Sequence, residues 1–188
     1  MDNINFKQKL LLGLIPYISV LIFMYYFSNA IITIFVYHLA VLYFLFSQNV
    51  NDLSKKIAKG WNFYPGIALI LLGSISGILI NTFWNLAVSD NSALTKTLME
   101  FGLGNIGWII FVIYYILLNP LIEELFWRGL LDGKGIKFLL VDLLFAGYHT
   151  LVLIFFIKIE WAFIAAIIIF IASVVWRKID KSNNGIII

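Results

Sequence analysis

Residues 30–47 read AIITIFVYHLAVLYFLFS, an apolar run of 18 residues without an Asp, Glu, Lys or Arg. A helix needs about 20 mostly apolar residues to cross a hydrocarbon core of about 30 Å, so this run predicts a membrane span. The whole chain has the same character, because 62% of its 188 residues are hydrophobic, only 12% are charged and the mean hydropathy is +0.98. Soluble domains carry about 25% charged residues, so the composition excludes an ordinary soluble protein.

Five further apolar runs flank this one and predict additional spans. The six predicted spans cover residues 10–27, 30–47, 64–88, 106–126, 138–157 and 161–176. Polar connections are predicted at 48–62 and 89–105, and the closing SNNGIII resembles the start of a seventh span. We find no linker and no internal repeat, so residues 1–188 are predicted to form one integral-membrane domain. The predicted fold class is all-α, a polytopic transmembrane helical bundle of about six spans plus the start of a seventh.

The distribution of Lys and Arg predicts the orientation of the bundle. With the N-terminus inside, the outer loops hold only Lys96 and Lys158, and the other 11 of the 13 basic residues lie on the inner side. Cytoplasmic loops carry an excess of Lys and Arg, so a multi-pass protein of the cell membrane with a cytoplasmic N-terminus is expected. Because these charges are spread between apolar runs, they indicate contact with the lipid bilayer and no nucleic-acid partner.

An acidic pair lies near the cytoplasmic end of the fourth predicted span, in PLIEELFWRG at residues 120–129. Glu124 and Arg128 are at positions i and i+4 of a helix, where a carboxylate and a guanidinium can pair. Glu123 is rotated by about 100° from Glu124 and has no such local partner, which leaves it for proton chemistry. Pro120 removes a backbone donor and is expected to bend the helix just before the pair. The alternative is that these charges only end a span at the membrane surface.

A histidine in the next predicted span is the natural partner for Glu123. His149 lies in LLFAGYHTLV, four residues after Phe145, and the short connection DGKGIK at 132–137 makes the two spans antiparallel neighbours. A glutamate and a histidine that share a polar cavity can hold and deprotonate a water, which is the chemistry of a hydrolase that lacks a serine or cysteine nucleophile. The chain contains no cysteine. A histidine within a span can alternatively serve only as a hydrogen-bonding group between helices.

Other polar residues in the spans have simpler interpretations. His38 and Asn119 are expected to make hydrogen bonds between helices, although Asn119 could also line a cavity. Asp142 lies on the face of His149 and could orient the imidazole. Because Asp142 lies near the start of a helix, the preferred interpretation is a negative charge stabilised by the helix dipole.

The two motifs together resemble the CPBP intramembrane proteases, a family that includes the type II CAAX prenyl endopeptidases and the bacterial Abi proteins linked to bacteriocin self-immunity. The stretch EELFWRG matches the family pattern EExxxR, and FAGYH matches FxxxH. The resemblance covers roughly residues 105–188. It implies a helical membrane endopeptidase that acts on a peptide or a lipidated protein, with its site open toward the cytoplasmic side.

The resemblance also implies a role for each motif residue. Glu123 and His149 would activate water, Glu124 and Arg128 would organise the site or contact substrate, and Phe145 would line the substrate pocket. A divalent metal such as zinc is compatible with the motifs but not demanded by them, and Glu123 and His149 would be its ligands. One histidine and two glutamates are too few for a closed zinc site.

The chain departs from the family in one respect. Family members carry a further HxxxN or HxxxD motif on a later helix, and no histidine follows His149 here. The chain is therefore expected to be a truncated or degenerate member. Two other functions stay open at this point: a non-catalytic membrane protein that provides immunity by binding a target, and a small transporter with a Glu and His proton relay.

Overall fold

A computed structural model of the chain describes residues 5–47, 63–88, 90–131 and 138–182. Every element within these ranges is a helix. The helices are α1 (Phe6–Tyr26), α2 (Ala30–Ser47), α3 (Phe63–Ala87), α4 (Asn91–Glu100), α5 (Ile106–Leu117), α6 (Asn119–Leu130), α7 (Phe138–Leu153) and α8 (Ile159–Ser182). The predicted connection at 48–62, the turn at 132–137 and the closing residues 183–188 lie outside the described residues.

Local side-chain caps begin the first two helices. Asn5 accepts a hydrogen bond from the backbone N–H of Gln8, whose side chain accepts one from the backbone N–H of Asn5, which is a complete capping box. A tight hairpin joins α1 to α2. Ser28 has a φ of 50°, and the side chain of Asn29 accepts from the backbone N–H of Ile32. The chain thus reverses within three residues, and α2 begins where the apolar run begins.

The predicted bend at Pro120 is confirmed. Helices α5 and α6 meet at an angle of 46°, and Pro120 lies in the first turn of α6, where its missing backbone donor costs nothing. The last part of α6, Glu124–Leu130, is π-helical, with the backbone N–H of Leu131 donating to the carbonyl of Phe126. The motif PLIEELFWRG therefore occupies a bent and locally widened helix.

Among the described residues, three helices are long and apolar enough to cross a membrane. They are Phe6–Tyr26, Ala30–Ser47 and Ile159–Asp180. The bent pair α5 and α6 makes a fourth if it is one span. Two further stretches, Ile78–Ala87 and Leu139–Leu153, are apolar but shorter. All six predicted spans fall on helices, whereas a count of six membrane crossings stays a prediction.

The outer face of α8 has the character of a surface in contact with lipid. Ile164, Ile167, Ile168, Ile171 and Val175 are all exposed, and their spacing places them on one side of the helix. An apolar stripe of this length on an exposed helix is unfavourable in water and normal in hydrocarbon. The apolar surface supports the assignment of the chain to the membrane class.

The inside of the bundle combines aliphatic side chains with a cluster of aromatic ones. Trp127 and Phe126 of α6 are almost fully buried against Tyr37 of α2 and Tyr148 of α7. The indole N–H of Trp127 donates to the hydroxyl of Tyr37 over 3.1 Å, so this polar atom is satisfied inside the core. A second apolar cluster joins α1 to the loop around Phe101.

Helix α4 lies in the second predicted polar connection and is amphipathic. The carboxylate of Asp90 accepts from the hydroxyl and the backbone N–H of Ser92, over 2.7 and 2.8 Å, and so caps the helix. The same hydrogen bonds lower the pKa of the Asp90 carboxyl below its ordinary value. The sequence predicts that this segment, which contains Lys96, lies outside the membrane on the side opposite the cytoplasm.

A buried ion pair holds α7 against α8. Asp142 is fully buried and accepts hydrogen bonds from the guanidinium of Arg177, the shortest over 2.8 Å, and from the hydroxyl of Ser173 over 2.6 Å. Both interpretations of Asp142 from the sequence are therefore wrong. It neither orients His149 nor serves as a helix-start charge, because a carboxylate buried among apolar helices takes the nearest guanidinium.

We expect Asp142→Ala to lower the free energy of unfolding by about 3 to 5 kcal/mol, because it removes the carboxylate from a buried guanidinium. The measurement is an SDS titration of the protein in mixed micelles, followed by tryptophan fluorescence. Glu100→Ala is the matched control, since it breaks the exposed pair of Glu100 with Lys96 and should cost about 0 to 1 kcal/mol. Equal losses for the two variants would contradict this account of Asp142.

We expect single cysteines to report the predicted orientation, because the natural chain has no cysteine to label. Lys96 and Lys178 are both exposed and lie on opposite predicted sides. In intact cells a membrane-impermeant maleimide should label Lys96→Cys, and it should label Lys178→Cys only after permeabilisation. The reverse pattern would invert the topology, and labelling of both from one side would change the parity of the span count.

Candidate active site

Glu123 lies at the end of the α-helical part of α6 and is buried, with 7% of its surface exposed. One carboxylate oxygen, Oε1, accepts a hydrogen bond from the hydroxyl of Tyr148. The other, Oε2, is 3.4 Å from the side-chain nitrogen of Asn119, which is longer than an ordinary hydrogen bond. Arg128 pairs with Glu124 and not with Glu123, as predicted, and the partner of Glu123 comes from another helix. Oε2 keeps capacity to accept from a water.

His149 lies on α7 with its imidazole fixed at both nitrogens. Nδ1 is 2.9 Å from the backbone carbonyl oxygen of Phe145, and Nε2 is 3.1 Å from the hydroxyl oxygen of Tyr148. A carbonyl oxygen only accepts, so the proton of this bond resides on Nδ1. The predicted meeting of Glu123 and His149 occurs, but the hydroxyl of Tyr148 stands between them.

Tyr148 is a site residue that neither motif specifies. It is next to His149 in FAGYH, and neighbours in a helix point about 100° apart, so the helical spacing alone does not place it at the same site as the histidine. Its ring stacks on that of Trp127 at 5.7 Å between centroids, which directs the hydroxyl toward Glu123. One signal was available in the sequence: a tyrosine hydroxyl within an apolar helix needs a hydrogen-bond partner inside the bundle.

Glu123, Tyr148 and His149 line one cavity of about 290 Å³, together with Asn119. Most of the remaining wall is apolar and comes from several helices, for example Met24 of α1 and Ile34 of α2. The polar groups therefore converge on one part of an otherwise apolar chamber. This combination is typical of ligand-binding and catalytic sites.

The predicted pair of Glu124 and Arg128 is confirmed, with 2.5 Å between the carboxylate and the guanidinium. The guanidinium also lies over the rings of Phe145 and Trp176, at 5.6 and 5.9 Å from their centroids. It lies 3.8 Å from Asp180 of α8. Arg128 therefore ties α6 to α7 and α8, and the second glutamate of the motif belongs to this tie.

Phe145 is placed differently from its implied role. It is not among the described residues that line the cavity. It packs its ring edgewise on the imidazole of His149, with 4.5 Å between centroids, and under the guanidinium of Arg128. The i, i+4 spacing of FxxxH therefore serves to support the histidine, because a residue one turn earlier on a helix lies directly beside it.

The remaining histidine agrees with its structural interpretation. His38 is buried on α2, and its Nδ1 is 2.5 Å from the hydroxyl of Tyr114 on α5. It does not line the cavity that holds His149. Asn119, in contrast, joins Glu123 at the cavity wall and makes no side-chain hydrogen bond to another helix among the described residues.

The donor set at the cavity fits a metal poorly. No group of three or more His, Cys, Asp or Glu side chains is placed to hold a metal ion within the described ranges. Glu123 and His149 each already bond to Tyr148, whose hydroxyl occupies the space between them. The geometry at this cavity is that of a hydrogen-bonded chain.

A scan against protein-family models, a search of curated proteins and a search of solved structures found no match to this chain.

The two glutamates are predicted to respond differently to the loss of charge. Glu124→Gln should lower the free energy of unfolding by at least about 2 kcal/mol, because it removes a charge that compensates a buried guanidinium. Glu123→Gln should lower it by about 1 kcal/mol or less, since the amide oxygen can still accept from Tyr148. The SDS titration measures the free energy of unfolding of both variants. Equal losses would contradict the assignment of Glu124 to structure and of Glu123 to proton transfer.

Proposed function

We propose that this chain is a glutamate-dependent intramembrane endopeptidase of the type represented by the CPBP proteases. The observation that carries the proposal is the meeting of Glu123 and His149 at one cavity, although they come from different helices and separate motifs. The motif likeness names the residues of the proposed site, and the geometry brings these residues together at one cavity. Both features support hydrolysis.

The chemistry assigned to the site is attack by water on a peptide carbonyl. Oε2 of Glu123 takes a proton from water while the water oxygen forms a bond to the carbonyl carbon. The C–N bond then breaks, and the departing amine takes a proton from His149. Asn119 lies at the same wall, and its side-chain N–H can stabilise the negative charge that develops on the carbonyl oxygen.

The character of the cavity wall supports a substrate with an apolar segment. Apolar side chains from several helices surround the polar group, and the volume of about 290 Å³ is at the lower end of ordinary ligand pockets. A peptide from a membrane protein or a lipidated protein has such a segment. The setting proposed for the reaction is the cell membrane, crossed six times with the N-terminus in the cytoplasm, which the distribution of Lys and Arg supports.

A second function keeps specific support: a non-catalytic protein that binds a membrane target, as in bacteriocin immunity. Of the two histidines, only His149 lines the cavity, because His38 is engaged with Tyr114, and most of the other lining residues are apolar. An apolar chamber of this kind can bind a target segment without any reaction. The carboxylate of Glu123 separates the two functions, because only hydrolysis requires its charge.

We expect Glu123→Gln to abolish the appearance of new peptide termini in the membranes of cells that express the protein. The measurement is mass spectrometry of protein N-termini in membranes from cells with the wild-type chain, the variant or an empty vector. Glu160→Gln is the matched control, since Glu160 is an exposed glutamate at the start of α8 and should leave the termini unchanged. Western blots of each variant establish equal amounts in the membrane.

Termini that depend on Glu123 would support the endopeptidase and identify its substrates. If no terminus depends on Glu123, the endopeptidase proposal fails. In that case, protection of cells by both the wild-type chain and Glu123→Gln against a membrane-active peptide would support the binding function.

A further inference from the structure

The hydroxyl of Tyr148 contacts both groups to which the proposed function assigns proton transfer. It lies within hydrogen-bonding distance of Oε1 of Glu123 on one side and at 3.1 Å from Nε2 of His149 on the other. All three side chains line the same cavity. The role of Tyr148 depends on where the protons lie in this series of three hydrogen-bonded side chains.

A count of donors and acceptors limits the answer to two arrangements. Nδ1 of His149 carries a proton, because its partner is the carbonyl oxygen of Phe145. The hydroxyl of Tyr148 has one hydrogen and can donate to only one of its two neighbours. If Tyr148 donates to Glu123, then Nε2 must donate to Tyr148, and His149 is an imidazolium beside a carboxylate. If Tyr148 donates to Nε2, then a protonated Glu123 donates to Tyr148, and His149 is neutral.

The two arrangements contain the same number of protons. They are related by the transfer of one proton from Glu123 to the oxygen of Tyr148 while the hydroxyl proton of Tyr148 moves to Nε2 of His149. We infer that Tyr148 relays a proton between Glu123 and His149, so that the three residues titrate as one unit. Tyr148 is thus a positioning residue for the reaction, acting through Glu123 and His149.

This relay supplies a connection that the proposed hydrolysis needs. In the first arrangement Glu123 takes a proton from water and the imidazolium of His149 gives one to the departing amine, which leaves a protonated Glu123 and a neutral His149. Transfer through Tyr148 then restores the carboxylate of Glu123 and the imidazolium of His149, with no proton gained or lost by the three residues. This catalytic role rests on the proposed function, whereas the shared titration of the three residues does not.

Packing holds the tyrosine in the geometry that a relay requires. Tyr148 is 6% exposed, and its ring lies parallel to that of Trp127, with the rings of Tyr37 and Phe145 at 5.8 and 5.9 Å between centroids. A phenylalanine would satisfy these ring contacts equally well. The hydroxyl is therefore the part of Tyr148 that packing does not explain, and its removal isolates the relay.

Other titratable groups face the relay from several helices. Tyr17 of α1, Tyr37 of α2 and Tyr115 of α5 contact Tyr148 or line the same cavity. A phenol has an ordinary pKa of about 10 and is neutral at physiological pH. Glu124 of α6 is held by Arg128. Glu123 and His149 are thus the carboxylate and the imidazole among the described residues that line this cavity.

The test is a cycle of variants in the full chain, reconstituted in nanodiscs with isotope-labelled histidine. Nitrogen NMR reports the protonation of His149 across the pH range in which the bundle stays folded, and His149→Asn assigns its signals. In the presence of Tyr148, Glu123→Gln should shift the midpoint of the His149 titration by about one pH unit or more, as for coupled groups. In the Tyr148→Phe background, Glu123→Gln should shift the midpoint of the His149 titration by less than about a third of the shift seen with Tyr148 present.

Two further variants control the cycle. Tyr114→Phe removes the partly buried tyrosine hydroxyl that bonds to His38, and it should leave the coupling between Glu123 and His149 intact. A fluorinated tyrosine at position 148 keeps the hydroxyl as a stronger acid, so it should retain the coupling and move the His149 midpoint. The second variant also serves if Tyr148→Phe fails to fold.

An unchanged coupling in Tyr148→Phe, or a fluorinated tyrosine that leaves the midpoint in place, would overturn the relay. Neither result would affect the endopeptidase, which the peptide termini test separately. Conversely, a cycle with the expected coupling and no termini that depend on Glu123 would leave a proton relay in a protein that is not a peptidase.

Discussion

A charge enclosed by apolar helices must find its counter-charge within the same bundle, because lipid offers neither water nor ions to compensate it. In this chain the two buried arginines satisfy that constraint. Arg177 of α8 forms an ion pair with Asp142 of α7. Arg128 of α6 forms an ion pair with Glu124 and lies near Asp180 of α8. These contacts join α6, α7 and α8 at one end of the bundle, so the faces that α6 and α7 turn toward each other depend on them.

The arrangement of the charges determines which carboxylate remains for chemistry. Asp142 and Glu124 are each held by a guanidinium, whereas Glu123 has a phenol and a distant amide. A carboxylate with only neutral partners can exchange a proton without breaking an ion pair. The cavity is therefore built around Glu123, although Glu124 is its neighbour in the chain and has the same chemistry.

Local distortion of α6 accompanies this difference. Pro120 bends the chain before the acidic pair, and the helix changes from α to π geometry between Glu123 and Glu124. Single π-helical turns occur frequently at functional sites, because they redirect a side chain that a regular helix would point elsewhere. Here the change occurs at the boundary between the glutamate that faces the cavity and the glutamate that pairs with Arg128.

The sequence by itself determined the features that depend on neighbours along the chain. Apolar runs predicted the helices, a proline predicted the bend, and the spacing of Glu124 and Arg128 predicted their pair. Tertiary structure alone decided the partners across helices: Asp142 with Arg177, and Tyr148 between Glu123 and His149. The physical reason is that a helix apolar on all sides has no amphipathic face to reveal its rotation, so only packing between helices decides which side chains meet.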